Sequence, residues 1–204
     1  MSLRLPARHD VRLLATAVAL PTDLAPAGQR GRVMDEAAVL AHIAPDAERP
    51  PHGTPLDAEV VTRQWVQDAD AIDLAVEAGR QALARAGLQA HELSAILCAS
   101  STPVSISAAM AARVSARLLG ESVEEPSIFN PCAYDIRGGG IGALQAWITA
   151  QGLIAQGAGP VLVVAAETPS KFLQPGDVGT ALRYGDGAGA CILGPSTDAR
   201  PSFL

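Results

Sequence analysis

Residues 134–147 read YDIRGGGIGALQAW, and the reading of this stretch decides the fold. Ahead of it Ser127, Ile128 and Phe129 form a short apolar run that predicts a strand. Gly138, Gly139 and Gly140 then open a series of small and apolar residues that predicts a helix over about 139–156, stopped at Gly157. A strand, a glycine turn and a small-residue helix in succession put the turn's backbone at the mouth of an α/β sheet, where ligands and nucleophiles are held. What stands at the turn therefore decides the chemistry.

On the N-terminal side the same alternation repeats. Residues 11–20 predict a first strand ending at Pro21. Residues 21–60 hold many prolines and charges and read as a long surface excursion, with a helical patch over 35–42. Residues 57–68 fit neither element clearly. From Asp70 the apolar positions Ile72, Val76, Gly79, Leu83 and Ala86 follow helical spacing, Asp70 caps the start and Gly87 stops the helix. Residues 94–100 (SAILCAS) predict a buried strand, and residues 108–119 an alanine-rich helix closed by Gly120.

On the C-terminal side, residues 160–166 (PVLVVAA) predict the most apolar strand of the chain, followed by a loop over 168–183. A tight GDGAG turn over 185–189 leads to a last strand at 190–193. Strands alternating with helices predict an α/β fold, a mainly parallel five-stranded sheet with helices packed on it, in a single domain over 1–204.

Composition narrows the function. Hydrophobic residues make up 49% of the 204 and aromatic ones 3%, so the core is built from Ala, Val, Leu and Ile. The formal charge of -6 comes without a basic run or basic–aromatic interleaving, which argues against nucleic acid. Lys171 is the only lysine. Cys98, Cys132 and Cys191 have no metal or CxxC spacing, which predicts no metal site and a reducing, cytoplasmic setting. All three read as buried structural cysteines within strands. Arg4, Arg8 and Arg12 precede LLATAVAL, an echo of a signal peptide, but Asp10 interrupts the basic region and a first strand explains the run better. No apolar run approaches the ~20 residues of a membrane span.

The glycine turn by itself admits two readings. Gly138, Gly140 and Ala143 match the dinucleotide fingerprint GxGxxG/A, with Glu167 at the end of the 160–166 strand as the ribose-binding acid. The spacing to that acid is longer than the usual ~20 residues, and the fingerprint comes late in the chain. Alternatively the glycines only let a helix start pack against a strand.

Taken together with LLATAVALP at the start, Val61-Thr62-Arg63 before the first long helix, AILCASSTP, VLVVAAE and RYGDGAGACIL, the stretch resembles the N-terminal half of thiolase-fold condensing enzymes, the β-ketoacyl-acyl-carrier-protein synthase III group above all. The resemblance runs from about residue 11 onward. It implies a thiolase-like half-fold in an acyl-thioester condensing system of fatty-acid, polyketide or related biosynthesis, with no permanently bound cofactor. Coenzyme A or acyl-carrier-protein thioesters are the implied substrates.

Carried over residue by residue, the family's D-(V/I)-x-x-x-C-x-G pattern falls on Asp135 and Ile136, places its nucleophilic cysteine at Gly140 and its next glycine at Gly142. In the family that thiol sits at a helix N-terminus, which favours the thiolate that accepts the acyl group. Here it is glycine. The resemblance also implies structural turns at Gly138, Gly139 and Gly142 and at Gly185, Asp186 and Gly187. Where the family often stacks a tryptophan on adenine this chain has Glu59; Trp65 could replace it or simply pack in the core. Arg63 could meet a phosphate, while a second phosphate-side arginine expected within 176–181 is absent. Arg137 pairs with Asp135 or Glu167, or holds a ligand's carboxylate or phosphate. The family's catalytic His and Asn come from its C-terminal half; His9, His42, His52 and His91 match neither and read as solvated. These enzymes dimerise through the N-terminal half, which implies a homologous, cysteine-bearing partner subunit. The alternative functions are an autonomous synthase III-type acyltransferase and a dinucleotide-binding protein.

Overall fold

The computed structural model describes residues 11–26, 29–45, 61–105, 107–120 and 131–196. Seven strands and five α-helices follow in the order β1 Val11–Ala19, β2 Gly31–Met34, α1 Glu36–Ile43, β3 Arg63–Val66, α2 Ala71–Ala86, β4 Ala95–Ala99, α3 Met110–Leu119, β5 Cys132–Ile136, α4 Gly142–Ala155, β6 Val161–Glu167, α5 Val178–Arg183 and β7 Gly187–Pro195. The main sheet has five strands in the order β1-β7-β6-β4-β5. Its β6–β4 and β4–β5 pairings are parallel and its β1–β7 and β7–β6 pairings antiparallel, so β7 alone runs against the other strands. The expected mainly parallel sheet is thus present, with one reversed strand beside its centre.

Helices cover both faces, and the two-residue period of the strands sorts the core accordingly. Ile96 and Cys98 of β4 with Leu162, Val164 and Ala166 of β6 pack against α2 and α3. Ala95, Leu97 and Ala99 with Val161 and Val163 pack against Ala146, Ala150 and Ile154 of α4. The continuous apolar runs of β4 and β6 reflect burial on both sides.

The helix ends follow their sequence signals. Asp70 accepts from the backbone N–H of Ile72 and Asp73, Asp73 answers to the Asp70 N–H, and Gly87 ends α2 at φ 67°. Gly120 ends α3 in the same left-handed conformation, φ 71°.

Several local expectations change. The strand before the glycine turn lies at Cys132–Ile136, so Tyr134, Asp135 and Ile136 are strand residues; the expected run at 127–129 falls outside the described residues. The excursion over 21–60 is structured where it is described. Asp35 caps α1, and β2 pairs antiparallel with β3, which resolves the ambiguous 57–68 segment at Arg63–Val66. Met34, Val39, Ile43 and Trp65 join Val178, Ala181 and Leu182 of α5 in a third apolar cluster, which supplies the burial that sequence periodicity could not show. Within the expected 168–183 loop, Asp177 caps α5. The GDGAG segment is not all turn: β7 begins at Gly187, which pairs with Glu167 of β6, and the next residue, Ala188, pairs with Ala19 of β1.

Candidate functional site

The expected site lies where β5 hands over to α4. Ile136 ends the strand, residues 139–141 form one 3-10 turn, and α4 starts at Gly142. Gly139 takes φ 57°, a conformation that favours glycine. A Cβ on Gly138 would run into the Gln145 side chain, and one on Gly142 would touch Ala99 at 3.4 Å, so that glycine lets α4 settle onto β4. Gly140 differs from both. It is exposed, its φ is not positive, and a Cβ there would meet nothing within 4 Å. Backbone geometry and space at residue 140 therefore accept a side chain; the glycine is a choice of sequence and not a demand of the turn. Among the described residues the turn and the outer side of α4 are open to solvent.

Asp135 and Arg137 flank the turn with separate tasks. Asp135 points to the α2–α3 side, where its carboxylate accepts from the backbone N–H of Met110 at 2.9 Å and of Ala111 at 2.7 Å. Arg137 is half-exposed, 3.8 Å from Asp135, and donates to the Ser105 carbonyl at 3.1 Å. Of the two partners expected for Arg137, Asp135 is the one it meets, at the protein surface. Glu167 is committed elsewhere: it accepts from the backbone N–H and hydroxyl of both Ser101 and Thr102 at 2.5–2.9 Å, tying the loop after β4 to the end of β6.

The three thiols divide by environment. Cys98 is fully buried in β4, and burial, with the nearby Asp135 carboxylate, pushes its pKa far up. Cys132 is exposed, correcting the buried role expected of it, because β5 is the outer strand of the sheet. It begins β5 and so sits about 13 Å along the strand from Ile136, at the end away from the glycine turn. Cys191 is only partly buried, and burial pushes its pKa up to about 12. It lines an apolar groove of about 280 Å³ between α4 and the sheet, together with Leu144, Trp147, Val163 and Ala165. Sequence reading placed Cys191 in the core and missed this groove, because it arises where a helix lies over three strands that are distant in the chain.

A second cleft of about 250 Å³, with a mixed polar and apolar lining, opens beside β3, lined by Arg32, Met34, His42, Trp65, Gln67 and Lys171 among others. Trp65 is 6% exposed, donates its indole N–H to the Tyr184 carbonyl at 3.2 Å and meets the His42 ring edge-on at 5.7 Å. It is chiefly a core residue with one face at the cleft. His42 is exposed on α1, His91 is exposed in a 3-10 turn, and His9 and His52 fall outside the described residues. Arg63 is buried at the start of β3.

Gly185 presses against β3, with a Cβ position 3.3 Å from the Gln64 backbone. Asp186, 4% exposed, accepts from the backbone N–H of Val66 at 2.8 Å and from the N–H and hydroxyl of Ser170. Burial raises its pKa above the usual carboxylate value, against these hydrogen bonds and the Lys171 charge. The turn thereby joins β7, β3 and the 169–172 segment. Among the described residues no group of three or more His, Cys, Asp or Glu is placed to hold a metal ion, and no helix is long and apolar enough to cross a membrane.

Residues 134–204, starting at the quoted stretch, match the family described as 3-oxoacyl-[acyl-carrier-protein (ACP)] synthase III. A β-ketoacyl-[acyl-carrier-protein] synthase III of Helicobacter hepaticus is 32% identical over 133 residues, 65% of this chain and 38% of that protein. The chain is synthase III-like, with the fold of the thiolase-type condensing enzymes. The synthase III-like chain is also 35% identical to an acetoacetyl CoA synthase of a Streptomyces species over 136 residues, 66% of this chain and 39% of that one. The solved 3-oxoacyl-(acyl carrier protein) synthase III of Pseudomonas aeruginosa superposes with a TM-score of 0.71 at 28% identity, over 94% of this chain and 53% of its own. The chain thus spans under half the length of these sequence relatives and about half of that solved structure.

Proposed function

We propose that this chain serves an acyl-thioester condensing system of the synthase III type, in fatty-acid, polyketide or related biosynthesis, as a single thiolase-like half-domain that does not supply the nucleophile. Gly140 carries the reading. It occupies the position that the resemblance gives to the acyl-accepting cysteine, one step before a helix N-terminus, and the space there would admit a thiol. None of the three cysteines substitutes for it well: one is fully buried, one lies at the far end of β5, and one has a thiol held protonated near neutral pH.

The nucleophile then comes from a homologous, cysteine-bearing subunit, which pairs along β5, the outer strand of the sheet. The acyl donor is a coenzyme A or acyl-carrier-protein thioester, and the setting is the cytoplasm. Arg137, at the surface beside the turn, is assigned to a donor carboxylate or phosphate. Trp65, which lines the β3 cleft, and Arg63, buried two residues earlier on the same strand, are assigned to the donor's polar end.

The test is intact-mass measurement after incubating the purified chain with acetyl- and longer acyl-coenzyme A. No covalent acyl adduct is expected; a stable thioester on this chain would overturn the reading. One observation favours a second reading, an autonomous acyltransferase: Cys191 faces the apolar groove under the first turns of α4. An adduct mapped to Cys191 would establish it. For the dinucleotide reading, Glu167 has its carboxylate taken up by Ser101 and Thr102, so titration with NADH should leave its fluorescence unchanged.

A further inference from the structure

Strands β4 and β6 lie side by side and parallel, and the chain leaves β4 for β5 on one side and returns to β6 on the other. The C-terminal ends of β4 and β6 therefore flank the point where an open α/β sheet holds its ligands. Here a side chain of the protein itself spans that point. Glu167, the last residue of β6, accepts from the backbone N–H of Ser101 at 2.7 Å and of Thr102 at 2.9 Å, and from their hydroxyls at 2.8 and 2.5 Å. Two successive backbone N–H groups, joined by two hydroxyls, make an anion-binding concavity. All four donors are neutral, so the carboxylate supplies the charge that draws them together. The N–H of the buried Thr168 donates to the Thr102 hydroxyl at 2.8 Å, which fastens the same loop a second time.

The loop leads on to the glycine turn. Thr102 is followed by Pro103, whose ring fixes φ, and shortly after it the Ser105 carbonyl accepts from Arg137 at 3.1 Å. Ser105 is itself held, its hydroxyl donating to the Ala108 carbonyl at 3.0 Å. Asp135, the other partner of Arg137, is farther off at 3.8 Å and is engaged by the N–H groups of Met110 and Ala111. The Ser105 carbonyl is thus the nearer of the two holds on the guanidinium. We propose that Glu167 is a positioning residue for Arg137: through residues 101–105 it places the carbonyl that aims the guanidinium beside the glycine turn. What Arg137 is aimed at rests on the function proposed above; that Glu167 aims it does not.

NMR of the purified chain, with no acyl donor present, tests this link, so its failure is separate from a failure of the donor assignment. The side-chain N–H signals of Arg137, identified by their loss in Arg137→Lys, should move or vanish in Glu167→Ala. Those of Arg30 and Arg117, both paired with Asp73, should stay in place. Formate, a carboxylate small enough for the emptied concavity, should restore the Arg137 signals of Glu167→Ala in a saturable way and leave the parent chain unchanged. Arg137 signals indifferent to Glu167→Ala overturn the proposal. So does a change shared by Arg30 and Arg117, or one that formate does not reverse. Two further measurements hold even where Glu167→Ala does not fold. Thr102→Val keeps the carboxylate and removes one hydroxyl donor, and should disturb the Arg137 signals more mildly; no disturbance counts against the proposal. In the parent chain the amides of Ser101 and Thr102 should be protected from solvent exchange although they lie in a loop, and free exchange overturns it.

Discussion

Asp135 caps a helix to which it does not belong: its carboxylate, on β5, accepts the backbone N–H of Met110 at the start of α3 at 2.9 Å. Residue 109, at the cap position itself, is alanine and has no side-chain acceptor. The aspartate of the family pattern therefore fastens α3 to the outer strand, two residues before the glycine turn begins its descent. Replacing it with alanine should cost about 1–2 kcal/mol, the usual worth of a helix cap, while asparagine retains most of the stability. Urea unfolding of Asp135→Ala and Asp135→Asn gives the comparison.

Gly140→Cys addresses the site directly. With open space around the Cβ position and no positive φ, the substitution should change stability by less than about 1 kcal/mol. A thiol placed there lies next to the N-terminus of α4, where thiolate is favoured. Incubation with acetyl-coenzyme A should then add one acetyl group to the variant and none to the parent chain, read by intact mass.

Trp65 is chiefly a core residue, so Trp65→Ala should destabilise by about 3–5 kcal/mol, the range for truncating a buried aromatic. Trp65→Phe keeps most of the packing but loses the hydrogen bond to Tyr184 and should cost about 1 kcal/mol. Thermal unfolding of the two variants checks the order.

Acid should loosen the contact between α2 and its neighbours through Asp73. Burial opposes its ionisation, but hydrogen bonds from Arg117, the Asp70 backbone N–H and Arg30 outweigh burial and hold its pKa below 3.8. A depressed folded-state pKa gives stability that is present above pH 3.8 and lost as pH falls through the folded value. The parent chain should lose stability over that acid range, and Asp73→Asn should lose less of it, measured by urea midpoints at successive pH values.

The cysteines should label in order of exposure. Iodoacetamide at neutral pH is expected to modify Cys132 first and Cys191 much more slowly, with Cys98 unreactive until the chain unfolds. Peptide mapping over time checks the sequence of events.

Local signals in the sequence were enough for the elements that hold themselves together. Asp70, Gly87 and Gly120 mark helix ends because caps and left-handed turns are decided within a few residues. The apolar runs of β4 and β6 declare strands buried on both faces, and the emptiness of position 140 is written in the chain itself. The tertiary structure decided what depends on residues far apart. Whether Cys132 is buried turns on β5 being an outer strand, and whether Asp135 serves Arg137 or α3 turns on where α3 begins. The groove under α4 exists only because β1, β6 and β7 lie side by side, and Trp65 gained its burial from α5, more than a hundred residues later. Exposure and partnership are properties of assembled surfaces, and no window of sequence contains them.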